Sequence, residues 1–300
     1  MSRNALFLLL KAGISAGLIA WLATRVDLEP MRDAFATLDP AWALVASAFL
    51  GAQLVLAGLR WSWIHAALGQ RLGPRDAVEL AFVGQFFNQT LPSAIGGDAV
   101  RAVLAAKRGL TGGQAASGVI LDRGLALIVL IALMAVAAPI LPAREAAWLA
   151  GLALASLAAL ALGLVAAERL RRFVPAWRAV EWAYGVADGL RAIAARPRLL
   201  ASSLFVHLGV IATFWALARA LDVPAGLALC LAAVPPVVLL STLPISLAGW
   251  GVREGAAVFV FGLGGVAPGD ALALSVAFGL AQIAVGLPGL ALWLKGRRDG

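Results

Sequence analysis

Stretches of predominantly apolar residues, each close to the length of a membrane-spanning helix, recur along the whole sequence. A helix rises about 1.5 Å per residue and needs about 20 residues to cross a hydrocarbon core of about 30 Å. Hydrophobic residues make up 62% of the chain and charged residues only 13%, a composition unsuited to a soluble domain. The sequence therefore predicts one membrane domain, residues 1–300. Its predicted full spans are residues 5–24, 41–59, 117–138, 145–166, 199–220 and 271–294.

Two further intervals do not fit the pattern of ordinary spans. Residues 76–106 contain acidic, basic and amide side chains, which are costly at the centre of a lipid-facing helix. Residues 226–262 are apolar, but prolines and glycines divide them into two short pieces. We predict that each interval forms a re-entrant helical hairpin, which is tolerated at membrane depth where protein or water satisfies its backbone. The alternative is that the hairpins are full, tilted spans instead of re-entrant ones.

The two broken intervals also repeat one motif. Residues 90–101 align without gaps on residues 242–253, and six of the twelve positions are identical. The offset, 242 minus 90, is 152 residues, or about half the chain. Each half, about 1–140 and 141–300, then contains span, span, hairpin and span. Because each half crosses the membrane an odd number of times, the second is inverted. The predicted fold is an all-α polytopic membrane protein with about eight membrane segments in an inverted repeat.

The placement of basic residues predicts the orientation of the chain. Three of the 24 Lys and Arg residues lie within the membrane, and the others lie in or near loops. With both termini cytoplasmic, seventeen of them, including Arg60, lie on the cytoplasmic side. The outer side holds only Arg25, Arg32, Arg144 and Arg219. This bias predicts a multi-pass protein of the bacterial inner membrane with cytoplasmic termini.

Two further features predict contacts with the membrane surface. The Arg-rich segment 167–198 has the composition of a cytoplasmic amphipathic connector that lies on anionic headgroups. Tryptophans at predicted span ends are expected to anchor the helices at the interface, where an indole is both solvated and packed. These are Trp42, Trp61, Trp63, Trp148 and Trp293.

The repeated motif predicts a polar site at the tips of the two hairpins. In each copy a Pro ends one half-helix, small residues form the turn, and a second half-helix begins near Gly97 or Gly249. Arg101 and Arg253 follow one turn later. A helix N-terminus and a planar guanidinium together suit a phosphate, although a pair of capped turns without a ligand is the plainer reading. The turn residues are Pro92, Gly96, Gly97, Pro244, Gly249 and Gly251.

Five other polar residues are candidates for substrate binding at this site. Asp98 caps its half-helix or contributes to the site, and Glu254 pairs with a neighbouring Arg or carries a proton. Arg123 faces a central cavity or extends to the interface. Asn88 and Gln89 are expected to satisfy opened backbone in the first hairpin, with substrate contact as a second role.

Metals, cofactors and nucleic acids are not expected. Cys230 is the only cysteine, so no disulfide or thiolate cluster can form within the chain. His65 and His207 are too isolated to predict a metal site or a catalytic triad. The net charge of +8 arises from loop residues beside apolar spans, which predicts anionic lipid rather than nucleic acid as the partner.

These motifs together resemble those of a known family over nearly the whole chain. The sequence is similar to the lysylphosphatidylglycerol synthase transmembrane-region family, also called flippase-like membrane proteins. In the full-length synthases this region is implied to move aminoacylated phosphatidylglycerol to the outer leaflet. The present sequence ends without the soluble aminoacyl-transfer domain, so it is not expected to make the lysyl-lipid. The matching segments are Arg60-Trp61, Gly84-x-Phe86-x-Asn88, Leu91-Pro92 through Arg101, Asp122-Arg123, and Leu243-Pro244 through Glu254.

The expected function is the movement of an anionic or zwitterionic (glyco)phospholipid or related lipid between leaflets, without chemical reaction. One alternative is a polyprenyl-linked glycosyltransferase, because Asp27-x-Glu29 in the first outer loop could hold a divalent metal. Another alternative is an accessory subunit that assists a lipid-modifying enzyme. The sequence leaves both alternatives open.

Overall fold

The structure is a computed structural model, and it describes residues 3–91, 96–170, 178–243, 246 and 248–296. Within these ranges the chain forms twelve α-helices and one 3₁₀ turn, and none of the described residues is in a β-strand. Five helices are long and apolar enough to cross a membrane. The prediction of an all-α polytopic membrane protein is therefore confirmed.

Each of the six predicted spans lies in one long helix, except that residue 138 of the third span begins the 3₁₀ turn. Five of these helices satisfy the length and composition of a membrane span, and α1 contributes a shorter apolar stretch, Gly13–Leu22. The helices extend beyond the predicted limits at most ends, because flanking polar residues continue the helical hydrogen bonding. They are α1 Arg3–Arg25, α3 Pro40–Ala67, α6 Gly112–Ala137, α7 Ala143–Leu170, α9 Pro197–Ala220 and α12 Pro268–Gly296.

Each predicted hairpin interval forms two shorter helices that pack against each other. The first pair is α4 Pro74–Thr90 and α5 Gly96–Lys107, and the second is α10 Leu227–Ser241 and α11 Val252–Leu263. The longest of the four, α4, has 17 residues. Such a helix is about 26 Å long and does not span a hydrocarbon core of about 30 Å. The broken-helix pairs are thus observed, whereas their re-entry from one side of a membrane stays a prediction.

The order of helices is the same in both halves of the chain. A long helix is followed by a short one, a second long helix, a broken pair and a third long helix, with α2 Glu29–Ala36 and α8 Arg178–Ala194 as the short helices. Contacts also correspond: α3 packs on α9, α4 on α12 as α10 on α6, and α5 on α6 as α11 on α12. This correspondence accords with the internal repeat, and its inversion across a membrane stays a prediction.

The turn of the second broken pair differs from the prediction. The second half-helix was expected to begin near Gly249, but α11 begins at Val252. Ala248, Gly249 and Gly251 have φ angles of 48°, 83° and 85°, and residues in this left-handed region cannot continue a right-handed helix. The start of the helix is therefore three residues later than predicted.

The end of α3 also corrects two predictions. The second span was expected to end at residue 59, whereas α3 continues to Ala67. Arg60 and Trp61 consequently lie inside the helix, with 3% and 0% of their surfaces exposed. Arg60 is therefore not a loop residue and Trp61 is not an interfacial one, because both side chains face neighbouring helices. The cytoplasmic side of Arg60 stays a prediction.

The segment predicted to connect the halves, residues 167–198, contains a helix. Residues 167–170 belong to the end of α7, α8 covers Arg178–Ala194, and residues 171–177 lie outside the described residues. Ile193 is fully buried, and Gly189 of α8 lies close to Leu121 of α6. An apolar face of α8 therefore packs on the long helices, and its contact with lipid headgroups stays a prediction.

Candidate functional site

A buried carboxylate, Asp122, lies near the middle of α6 and binds two arginines from different helices. Arg60 of α3 donates from Nε to Oδ1 at 2.9 Å. Arg101 of α5 donates from an Nη to Oδ2 at 3.0 Å. The three side chains are only 4–7% exposed. Asp122 therefore ties α3, α5 and α6 together through charge.

A second carboxylate, Asp98, extends this cluster along α5. Arg123 donates to both of its oxygens, at 2.8 and 3.1 Å, in the forked geometry that favours carboxylate and phosphate alike. Arg101 Nε lies 3.0 Å from Asp98 Oδ1. Three guanidinium groups against two carboxylates leave one excess positive charge. We call these five residues, Arg60, Asp98, Arg101, Asp122 and Arg123, the first network.

The first network depends on the spacing of its residues along α5 and on a glycine at which α4 and α5 approach each other. Asp98 and Arg101 are three residues apart on α5 and therefore share one face of the helix. A Cβ on Gly97 would overlap Gly84 O and Asn88, so only glycine allows α4 and α5 to approach this closely. The Gly97 N–H, which lies in the first turn of α5, donates to Asn88 Oδ1 at 2.9 Å.

A second network surrounds Arg253 at the start of α11. Its guanidinium donates to Glu254 Oε1 at 2.7 and 3.0 Å, and to Gln282 Oε1 of α12 at 3.1 Å. Ser275 donates to the same carboxylate at 3.1 Å, and Glu254 Oε2 accepts the Gly251 N–H at 2.6 Å. Arg253 and Glu254 are 3% and 2% exposed. The charges are thus paired and further satisfied by polar neighbours.

Both arginines of the repeated motif also lie against an aromatic ring. The Arg101 guanidinium carbon is 4.7 Å from the centre of the Trp61 ring, and that of Arg253 is 4.5 Å from Trp250. Cation–π contacts of this kind stabilise a charge that is withdrawn from water. The equivalence of the two copies therefore extends from the sequence motif to the surroundings of the arginine.

An amide pair joins the two halves of the chain. Gln89 of α4 donates from Nε2 to Gln282 Oε1 of α12 at 3.3 Å, and the same Gln282 oxygen accepts from Arg253. Gln85 Nε2 and Gln89 Oε1 are buried and have no hydrogen-bond partner among the described residues. Polar groups that lack a partner are unusual in a protein interior and mark places where a ligand or water can bind.

The structure gives the partners of the residues for which the sequence left alternatives open. Asp98 pairs with Arg123 and Arg101, Glu254 pairs with Arg253, and Arg123 is half exposed, with 52% of its side chain accessible. Asn88 does satisfy opened backbone, as predicted, whereas Gln89 instead binds a side chain on α12.

Other predictions for this site are corrected by the structure or concern residues outside the described ranges. Arg101 and Arg253 belong to separate networks rather than to one open cluster, because each has an acidic partner on its own helix. Gly96 and Gly97 lie in the first turn of α5, whereas Gly249 and Gly251 lie in the turn before α11. Pro92 and Pro244 lie outside the described residues.

Sequence analysis missed five residues that complete the networks. Asp122 was considered only as a neighbour of Arg123, although a carboxylate inside an apolar span was itself a signal. Ser275 and Gln282 are seven residues apart and share one face of α12, a spacing that was available in the sequence. The missed residues are Arg60, Asp122, Ser203, Ser275 and Gln282.

Asp27 of the acidic pair in the first loop has a structural role. Asp27 Oδ1 accepts the Glu29 N–H at 3.0 Å, at the beginning of α2. Within the described residues no group of three or more metal-binding side chains occurs. Asp27 thus forms the turn that starts α2. The glycosyltransferase stays an alternative prediction.

The helices and the two ionic networks define a class: a polytopic membrane protein that holds two clusters of charged side chains between its helices. Ionisable residues inside a membrane are costly, and they usually mark a functional pathway. The chain belongs to the family described as the lysylphosphatidylglycerol synthase TM region, whose model matches residues 8–289. No curated protein matches the chain closely. The family assigns a membrane protein of lipid-related function.

Proposed function

We propose that this protein moves an anionic or zwitterionic lipid between the leaflets of the bacterial inner membrane, without changing it chemically. The observation that carries the proposal is the buried, positively charged first network inside a membrane protein of a lipid-related family. A lipid phosphate needs a cationic path to cross hydrocarbon, because the transfer of a bare charge is very costly. The acyl chains remain in the bilayer while the headgroup passes.

Arg123 is the residue of the first network that the headgroup meets first in this proposal. Its side chain is 52% exposed, whereas Arg60, Arg101 and both carboxylates are almost fully enclosed. A phosphate can replace Asp98 on the Arg123 fork because both anions accept two parallel N–H bonds. Asp98 keeps its contact with Arg101 during this exchange. The headgroup is thus bound by substitution of one anion for another, without leaving a buried charge unpaired.

The proposed orientation places both termini in the cytoplasm. The broken pairs then enter from opposite sides as re-entrant hairpins, in accordance with the repeated order of helices and the bias of loop arginines. Gln89 of the first pair donates to Gln282 of α12, and the same Gln282 oxygen accepts from Arg253 of the second pair. Opposed hairpins of this kind allow the headgroup to be reached from either leaflet in turn.

The proposal is tested with purified protein in vesicles that contain a small fraction of fluorescent phosphatidylglycerol. A membrane-impermeant reductant then reports the fraction of label in the outer leaflet over time. We expect exchange to be accelerated by the protein and to require Arg123. Arg219→Gln is the matched control, since Arg219 is an exposed arginine at the end of α9.

An absence of exchange for a panel of anionic and zwitterionic lipids would contradict the proposal. It would favour the accessory role, in which the protein assists a lipid-modifying enzyme.

A further inference from the structure

A groove separates α5 from α4 and α12 at the end of the fold where α5 and α12 terminate. It encloses about 890 Å³ and is lined mainly by apolar side chains. Its walls include Leu80, Val83, Val100, Val103, Leu104 and Leu292. This volume is in the range of about 300–1,000 Å³ that is typical of small-molecule sites.

The rim of the groove is positively charged. Lys107, the last residue of α5, and Arg108 both line it. Arg108 is bonded to Asp76 and Glu79 of α4, and Glu79 is shared with Arg75. Three cations against two carboxylates leave an excess positive charge, and Lys107 is an exposed cation that lines the groove. The groove thus combines an apolar interior with a cationic mouth.

The groove also leads towards the first network along α5. Ala99 and Val100 line it, and they lie directly between Asp98 and Arg101 in the sequence. From Lys107 to Asp98 is nine residues, about 14 Å of helix. A headgroup held at the rim would therefore be within about two and a half helical turns of Asp98 and its partner Arg123.

We infer that this groove binds an acyl chain of an anionic phospholipid, with the phosphate at Lys107, and is the place where the transported lipid is loaded. Charge and shape both favour this occupant, because a lipid alone pairs a long apolar chain with a phosphate at the interface. The inference rests on the proposed function for its loading role, whereas lipid binding in the groove can be measured without transport.

Binding is tested by native mass spectrometry of the purified protein with phosphatidylglycerol and, separately, phosphatidylcholine. Val103→Trp fills the groove, because Val103 lines it and is 59% exposed. Val136→Trp is the matched control, since Val136 of α6 is 78% exposed and lies away from the groove. We expect Val103→Trp to abolish one retained phosphatidylglycerol, and Val136→Trp to retain it.

Lys107→Gln tests the headgroup contact at an exposed residue at the end of α5. Removal of one cation near a phosphate is expected to weaken retention of phosphatidylglycerol about fivefold and to leave phosphatidylcholine unchanged. Equal retention of phosphatidylglycerol by the parent, Val103→Trp and Lys107→Gln would overturn the inference. The inference would also be overturned if the parent were a dimer and Val103→Trp alone dissociated it, since the groove would then hold a second copy of the chain.

The same variants separate this inference from the proposed function. If the groove loads the substrate, Val103→Trp lowers both binding and leaflet exchange, whereas Arg123→Gln lowers exchange and retains the bound lipid. A different result is that the parent protein exchanges no lipid while Val103→Trp still loses the bound phosphatidylglycerol. That result would refute the proposed function and keep the groove as a lipid-binding site. Unchanged exchange with Val103→Trp would refute loading through the groove.

Discussion

Arg101 of α5 and Asp122 of α6 are joined by a hydrogen-bonded ion pair of 3.0 Å, and both side chains are at most 7% exposed. Asp122 is simultaneously bonded to Arg60, which in turn donates to Ser203 of α9 at 3.0 Å. One carboxylate therefore fixes the relative positions of four helices. The pair has both a structural role and a place beside the proposed headgroup path.

Replacement of Asp122 by Asn should strongly destabilise the fold. The change leaves Arg60 and Arg101 without their shared anion, and breaking a buried ion pair costs about 3–5 kcal/mol. We expect a clearly lower melting temperature in detergent. Light scattering and size-exclusion chromatography measure the loss of folded protein on heating. Asp33→Asn, at an exposed carboxylate of α2, is the control and should remain within about 0.5 kcal/mol of the parent. Equal melting temperatures for both variants would show that Asp122 contributes little.

Arg123→Gln should reduce leaflet exchange alone, whereas Arg101→Gln should reduce both exchange and stability. Arg123 is half exposed, so its pair with Asp98 is worth at most about 1 kcal/mol to stability. Its loss should leave melting nearly unchanged and reduce leaflet exchange more than tenfold, about 1.4 kcal/mol or more in the barrier. Arg101→Gln should impair both, because it leaves Asp122 with one partner fewer. Normal exchange by Arg123→Gln would place the headgroup path elsewhere.

Gly97→Ala should disrupt the first broken pair. Its Cβ would overlap the backbone oxygen of Gly84 and the Asn88 side chain, which cannot withdraw without loss of its bond to the Gly97 N–H. Gly255→Ala is the control, because Gly255 lies inside α11 with nothing within 4 Å of the added Cβ. Alanine favours a helix over glycine by up to about 1 kcal/mol, so the control should be neutral or stabilising. Limited proteolysis and thermal melting would compare the two variants.

The spans and breaks of this fold could be predicted because they depend on local sequence. Apolar length determines which helices are long, and Pro and Gly determine where they are interrupted. The first network could not be predicted in the same way. Arg60 and Asp122 are 62 residues apart, and an Arg near a span end is equally compatible with a residue that extends to the interface. Only the packing of α3 on α6 shows that these charges meet.

The sequence repeat predicted that Arg101 and Arg253 occupy equivalent positions. It did not predict which residues pair with them. Asp98 lies three residues before the first Arg, whereas Glu254 directly follows the second, so each half pairs its arginine in a different way. The aligned position in the second copy holds Trp250, which lies against the arginine through its ring instead. An aligned motif thus predicts the position of a charge, while its partner depends on residues outside the identical positions.

The orientation is tested by labelling of single cysteines in a Cys230→Ala background, since Cys230 is the only native thiol. Ala183 of α8 and Ala143 at the start of α7 are both exposed and therefore accessible to a maleimide. With cytoplasmic termini, we expect Ala183→Cys to react only from the cytoplasm and Ala143→Cys only from outside. An impermeant reagent added to intact spheroplasts makes the measurement, with lysed cells as the control. Labelling of Ala183→Cys from outside would reverse the orientation.

Glu254→Gln distinguishes a structural pair from a proton carrier. The Glu254 carboxylate accepts from Arg253, from Ser275 and from the Gly251 N–H, so all of its described contacts favour an ion that stays in place. Removal of its charge leaves Arg253 buried and unpaired, and we expect a loss of stability of about 3–5 kcal/mol.

The pH profile of leaflet exchange separates this loss from a change in mechanism. If Glu254 only pairs with Arg253, exchange by the folded fraction of Glu254→Gln keeps the parent's dependence on pH. If Glu254 carries a proton, that dependence disappears, because glutamine cannot titrate. Ser275→Ala is the matched control: it removes one hydrogen bond to the carboxylate and retains the charge, at a cost of about 1 kcal/mol. A flat profile for Glu254→Gln beside a normal profile for Ser275→Ala would contradict the pairing role and make Glu254 part of the transport chemistry.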